Sequence, residues 1–220
     1  MSLTVDSVIW SKMYIWTLKM HSDPKTRKYW ADVVNDMVLF NPEFILSQLE
    51  NAKSKIAKVK AEGWEILIVA DKILFRDEIA DICESEWIHY MNYKVPAWVF
   101  TNFTTLKSRI DSMLELERYV ESDDFMTLTK KERQDKMKQL KKLKSVYNWV
   151  RNLKNKPDLA IILDWVGLSN FVDEIDSLWL DNIVVASSNF NRYWKEENLL
   201  LSNLSSYESI KFAMEYILKK

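Results

Sequence analysis

Eight cations, Lys130, Lys131, Arg133, Lys136, Lys138, Lys141, Lys142 and Lys144, crowd one short stretch, and the chemistry that such a cluster offers is neutralisation of phosphate oxygens. From Lys130 to Lys156 the chain holds eleven Lys or Arg against two acids, Glu132 and Asp135. This local +9 leaves −10 on the rest of a chain whose formal total is −1. A polyanion would be attracted to one stretch and repelled by the remainder, which restricts its orientation. The bland reading of the same residues is a solvated helix face. A second group, Lys19, Lys25, Arg27 and Lys28, lies beside Tyr29 and Trp30. It suits phosphate contact with base stacking, and equally a surface turn over an aromatic core residue. Lys107 and Arg109, near Thr101 and Asn102, either extend the basic surface or only solubilise the element they sit on.

Other chemistry is poorly represented. Asp71 and Asp164 follow predicted strands, where a catalytic carboxylate is conceivable and capping or solvation is the commoner role. No G-x-G-x-x-G, G-x-x-x-x-G-K-[ST] or G-x-S-x-G pattern occurs. His21 and His89 are the only histidines and Cys83 the only cysteine, with no metal-ligand spacing among them, so neither zinc nor a cofactor is expected. Cys83 shares a helical pattern with Ile79 and Ile82 and reads as a buried, unreactive thiol in a reducing compartment. The start MSLTVDSVIWSKMYIW lacks a sustained apolar core and a small-residue cleavage site, and no apolar run nears the roughly 20 residues of a spanning helix. The expectation is a soluble intracellular protein.

The elements that must position these residues alternate. Asn41 as N-cap and Pro42 as first helical residue open a helix that ends near Gly63. Strand 65–70 (EILIVA), helix 73–86 and strand 88–91 follow. Strands 159–163 (LAIIL) and 182–186 (NIVVA) flank a helix around 171–178, and strand 199–201 precedes a final helix over 207–218. Short apolar strands alternating with helices predict βαβ units in a parallel sheet covered on both faces, a three-layer α/β sandwich. Between the second and third of these strands, Leu106, Ile110, Met113 and Val120 form one apolar stripe and Met137, Leu140, Leu143, Tyr147 and Val150 another. They predict an antiparallel helical hairpin that turns at ESDDFMTL (121–128), with Thr129 and Glu132 at capping-box spacing. The predicted organisation is an α/β domain from 1–102 and 151–220 with a hairpin inserted at 103–150.

The run TNFTTLKSRIDSMLELE (101–117), followed by TLTKKE from Thr127, closely resembles the bacterial small-subunit ribosomal protein S-two family. Its members carry a Thr-Asn-Phe signature, a leucine-spaced helix ending in Leu-Glu and a Leu-Thr-Lys-Lys-Glu turn in this order. The resemblance extends from about Tyr14 to the final helix: 23–52 follows the family's Asn-Pro-Lys segment and next helix, 61–72 its first central strand, and 156–163 its Leu-Pro-Asp-Ala strand entry. It implies a flavodoxin-like or Rossmann-like α/β domain with an inserted antiparallel coiled coil. It also implies a non-enzymatic structural constituent of the small ribosomal subunit, bound at the head-body junction to ribosomal RNA and neighbouring ribosomal proteins. The implied location is the bacterial cytoplasmic ribosome, with an organellar ribosome as alternative. The basic residues named above, with Thr101 and Asn102, are then the candidate RNA contacts. A small α/β enzyme with a helical insertion and a hairpin-based adaptor are the competing readings.

Several positions depart from the family. Trp16-Thr17 stands where it has Gly-His, Tyr14 where it has an earlier His, and Ser187-Ser188-Asn189 where it has Asp-Thr-Asn. Trp16, Trp64, Trp87, Trp98, Trp149 and Trp179 all fall where the family usually has glycine, with Trp30 and Trp194 as further candidates. The chain has ten Trp and two Gly, against about 15 glycines at average usage. Trp87 and Trp179 follow predicted helices and precede strands, where a left-handed residue is often needed and glycine fits best. These coincidences suggest UGA codons that mean glycine in the source and were translated as tryptophan.

Overall fold

A computed structural model describes residues 3–93, 95–96, 98–191 and 196–219. A short helix, α1 (Val5–Trp10), precedes three strands, β1 (Ile15–Leu18), β2 (Trp30–Val34) and β3 (Met37–Phe40), which form an antiparallel sheet in the order β1-β3-β2. Asn35 and Asp36, both at positive φ (+50° and +60°), turn β2 into β3 in the manner of a tight primed hairpin. The sequence pattern predicted no strand in this region.

Asn41 then caps α2 (Pro42–Ala61), its side-chain oxygen accepting the Glu43 N–H at 3.0 Å. The helix ends at Ala61, near the predicted Gly63, which takes φ +72° just beyond it. Strand β4 (Ile66–Ala70) is buried at every position. Residues 73–75, expected as helix, form a 3-10 turn, and α3 (Arg76–Ser85) starts only after Phe75, whose φ of −110° is not helical. Strand β5 (His89–Met91) follows.

Next come α4 (Phe103–Glu121), α5 (Asp123–Thr127) and α6 (Lys130–Tyr147), then β6 (Leu159–Leu163), α7 (Ser169–Ser177), β7 (Asp181–Ala186), β8 (Leu199–Leu201) and α8 (Tyr207–Leu218). The five strands of the second sheet are all parallel, in the order β5-β4-β6-β7-β8. From β4 the chain steps one way to β5, and from β6 it steps the other way to β7. With right-handed crossovers α3 and α7 therefore cover opposite faces. Contacts agree: α8 packs on α2 and α3, whereas α7 meets the segment leading into α4. The result is a three-layer α/β arrangement around one large core.

Leu106, Ile110 and Val150 belong to that core, but Met113, Leu116 and Leu140 form a small core of their own between α4 and α6. Two expectations need correction here. The 121–128 segment is not a simple turn, because Asp123 and Asp124 start a short helix in it. Met137, placed in the packing stripe, is 53% exposed, and Leu116 occupies the interface instead. The boundary spacing was read correctly, but Met137 lies off the face defined by Leu140, Leu143 and Tyr147.

Candidate nucleic-acid interface

Helix α6 begins at a reciprocal cap: Thr129 N–H and Oγ1 donate to Glu132 Oε2 at 2.9 and 2.7 Å, and the Glu132 N–H returns to Thr129 Oγ1 at 3.4 Å. This fixes the phase of the cations that follow. Leu140, Leu143 and Tyr147 mark the side that packs on α4. At about 3.6 residues per turn, Lys130, Lys131, Lys138, Lys141 and Lys142 then fall on an arc directed away from it. All five are exposed, and none is in an ion pair among the described residues. They are free to meet phosphate without first giving up an internal partner.

The other three cations of the cluster are engaged within the hairpin. Lys144 pairs with Glu117 of α4, and Arg151 Nη2 reaches the same carboxylate at 2.9 Å. The Lys144 hydrogen bond, reinforced by Arg151, holds the Glu117 carboxyl below its ordinary value, against a smaller opposing effect of burial. Lys136 Nζ stands 5.9 Å from the centre of the Tyr119 ring, and half-buried Arg133 directs Nη1 at Met126 Sδ, 3.8 Å away. The eight-residue cluster thus divides by helix face into five outward lysines and three cations turned to the hairpin.

Thr101 and Asn102 are likewise occupied. Glu174 of α7, 7% exposed, accepts at one oxygen from Phe100 N–H (2.8 Å), Thr101 N–H (2.6 Å) and Thr101 Oγ1 (2.8 Å). Asn102 caps α4, its Oδ1 accepting from Thr105 N–H and the Thr104 and Thr105 hydroxyls. Both residues orient the base of the hairpin. Lys107 and Arg109, one turn along, are exposed.

The N-terminal cations sit in and around a 3-10 turn, Pro24–Tyr29, that is tied to the end of β7 through Ser188. Ser188 O accepts from Asp23 N–H (2.8 Å) and Thr26 Oγ1 (3.1 Å), and Ser188 Oγ bonds Ser22 Oγ (2.8 Å) and Thr17 Oγ1 (2.9 Å). Lys19, Lys25, Arg27 and Lys28 are all exposed. Lys19 and Arg27 flank a groove of about 550 Å³ that also takes in Met20, Trp30 and Asp36. The Arg27 guanidinium lies 6.0 Å from the Trp30 ring centre. Lys28 pairs with Glu196, which raises its pKa. Ser188, Glu174 and Glu117 organise these surfaces, and sequence reasoning singled out only the first, as a departure from the family. The signal for Glu174 was an acid among the apolar residues Phe171, Val172 and Ile175.

At the switch point of the sheet, between the carboxyl ends of β4 and β6, a catalytic pocket would be expected in an enzyme of this architecture. There Lys72 Nζ pairs with Asp164 Oδ2 at 3.0 Å and donates to Leu204 O at 3.3 Å. Asp164 also accepts the Val166 N–H. These polar groups satisfy one another. The Cys83 thiol is buried, which pushes its pKa up, away from the reactive thiolate. No helix among the described residues is long and apolar enough to cross a membrane.

The sequence pattern of the family described as Ribosomal protein S2 matches residues 10–219, nearly the whole chain. The chain belongs to this family. Among its relatives, the small ribosomal subunit protein uS2 of Dictyoglomus thermophilum is 28% identical over 166 residues, 76% of this chain and 68% of that protein. The uS2 of Fusobacterium nucleatum is 28% identical over 144 residues, 64% of this chain and 58% of that protein. The protein uS2c of Phaeodactylum tricornutum is 27% identical over 178 residues, 81% and 76% of the two. S2 proteins are structural, non-enzymatic ribosomal proteins.

Proposed function

We propose that the chain is a structural constituent of the small ribosomal subunit, bound to ribosomal RNA at the head-body junction and supporting translation. Its S2 family membership across residues 10–219 carries the ribosomal reading. The RNA-facing surface is the outward arc of Lys130, Lys131, Lys138, Lys141 and Lys142, supported by their exposure and by their lack of ion pairs among the described residues. Phosphate contacts of this kind position a protein on RNA without reading its sequence. Lys19, Lys25, Arg27 and Lys28 form the second contact surface, held in place through Ser188, with Trp30 beside Arg27. Lys107 and Arg109 extend the first, while Thr101 and Asn102 act on it through the orientation of α4.

In this reading 103–150 is an inserted antiparallel coiled coil projecting from an α/β domain built of 1–102 and 151–220. The separate small core of Met113, Leu116 and Leu140 supports the division. Neighbouring small-subunit proteins complete the set of partners, on the bacterial cytoplasmic ribosome. Similarity to a uS2c protein over 81% of the chain keeps an organellar ribosome as the second reading.

The test is RNA–protein cross-linking and peptide mass spectrometry on small subunits purified from the source cells. The expected result is the chain present in the subunits, with cross-links at the five outward lysines. Its absence from well-covered subunits would overturn the proposal, and cross-links confined to other surfaces would overturn the assignment of the hairpin face.

A further inference from the structure

Three helices of the α/β domain end in the same way and deliver the chain into parallel strands. After α2, the Trp64 N–H returns to Val59 O at 3.1 Å; after α3, Ile88 N–H returns to Cys83 O at 2.9 Å; after α7, Leu180 N–H returns to Ile175 O at 3.2 Å. Each bond spans five residues and closes a Schellman motif, which requires a left-handed residue just before the donor. Those residues are Gly63 at φ +72°, Trp87 at φ +58° and Trp179 at φ +54°. The first has the residue that the backbone demands. The other two have the largest side chain, in a conformation where a Cβ meets the following carbonyl.

Nothing in the packing compensates for this. The Trp87 and Trp179 indoles are 93% and 87% exposed. They gain no burial in exchange for the strained backbone and place two large apolar surfaces in water. Exposure alone would not single them out, since Trp10 is 84% exposed, but Trp10 closes α1 at an ordinary backbone position. The combination of positive φ, an otherwise regular motif and an idle side chain is confined to Trp87 and Trp179 among the described tryptophans.

We infer that Trp87 and Trp179 are glycine in the protein made by the source cell, encoded by UGA codons that its ribosomes read as glycine and that have been rendered here as tryptophan. Glycine at these two positions would change the composition of the chain from ten Trp and two Gly towards more ordinary usage. One consequence concerns a groove of about 590 Å³ at the amino-terminal edge of the sheet, lined by Lys60, Trp64, Glu86, Trp87 and His89. With glycine at 87 one of its walls is gone. Trp149 is a different case, since it stacks on Tyr90 at 4.9 Å and its backbone makes no demand for glycine. Trp194 lies outside the described residues.

The inference does not depend on the ribosomal role. It is tested by reading the genomic codons for 87 and 179 and by mass spectrometry of the corresponding peptides from a whole-cell digest of the source. UGA at both positions with glycine in both peptides is the expected result. UGG codons, or tryptophan in the peptides, would overturn it and leave the exposed indoles as genuine features of the surface.

Discussion

The Thr101 hydroxyl donates to Glu174 Oε1 at 2.8 Å, across 73 residues of sequence and from the entrance of α4 to the middle of α7. The same oxygen accepts two backbone N–H groups, from Phe100 and Thr101, so one buried carboxylate fixes the entrance of α4 against α7. Glu174→Ala would strand these donors, and an unsatisfied buried donor costs about 1–3 kcal/mol. The expected loss is about 2–3 kcal/mol in urea unfolding, with Glu174→Gln losing less because an acceptor remains. Equal stability of wild type and alanine variant would refute this role.

Thr17 and Ser188 present a similar long-range tie. Their hydroxyls lie 2.9 Å apart, and Ser188 is wholly buried. Thr17→Val removes one hydrogen bond and should cost about 1 kcal/mol. Ser188→Ala removes the partner of both Thr17 and Ser22 and should cost more. Limited proteolysis of 17–30 should accelerate in the second variant ahead of the first.

The strained helix ends give a prediction for the chain as written. A non-glycine residue in the left-handed region costs about 1–2 kcal/mol. Relief of that strain, offset by the added freedom of glycine in the unfolded chain, should let Trp87→Gly and Trp179→Gly each stabilise the protein by about 1 kcal/mol. Trp10→Gly, at the last position of α1, should destabilise it by a comparable amount. The three variants compared by thermal denaturation check the sign as well as the size.

The parallel sheet was legible because three of its strands, β4, β6 and β8, are wholly aliphatic: β6 and β8 have the bounds that LAIIL and LLL suggest, and α8 fills 207–218 as expected. The three-stranded N-terminal sheet was not, since WADVV and MVLF are short and half-exposed and their turn is Asn35-Asp36 rather than a glycine pair. The basic cluster was visible as composition. The stripe of Leu140, Leu143 and Tyr147 already carried the packed side of α6, but the division into five outward lysines and three hairpin-bound cations needed the partners of Arg133, Lys136 and Lys144, which no local pattern carries. Glu117 shows why: its partners Lys144 and Arg151 are more than 25 residues away.

That carboxylate should make the hairpin sensitive to acid. Lys144 and Arg151 hold the Glu117 carboxyl below its ordinary value. The charged form is therefore favoured by folding, and its contribution is fully present above about pH 4.5 and lost as pH falls through the folded-state value. In Glu117→Gln this contribution is absent at every pH. The stability gap between wild type and variant should be widest near neutrality and close in acid, a profile that pH-dependent urea denaturation measures. A gap that grows on acidification would contradict the assignment.

Five outward lysines, finally, set a salt dependence. Each phosphate neutralised on an RNA duplex releases condensed counterions, which adds about 0.9 to the slope of log affinity against log salt, and about 0.7 on a single strand. Replacing Lys130, Lys131, Lys138, Lys141 and Lys142 by Gln should therefore flatten the slope by roughly 3–5, if all five contact RNA. The fold should survive, because none of them is in an ion pair among the described residues and all are exposed. Lys144→Gln is the matched control. It removes the same charge from the same helix but from a cation committed to Glu117, so it should lower hairpin stability while moving the slope little. Binding titrations to small-subunit RNA over a series of salt concentrations, with circular dichroism on the same variants, separate the two effects. A slope unchanged in the five-lysine variant would exclude the outward face of α6 as the RNA-binding surface.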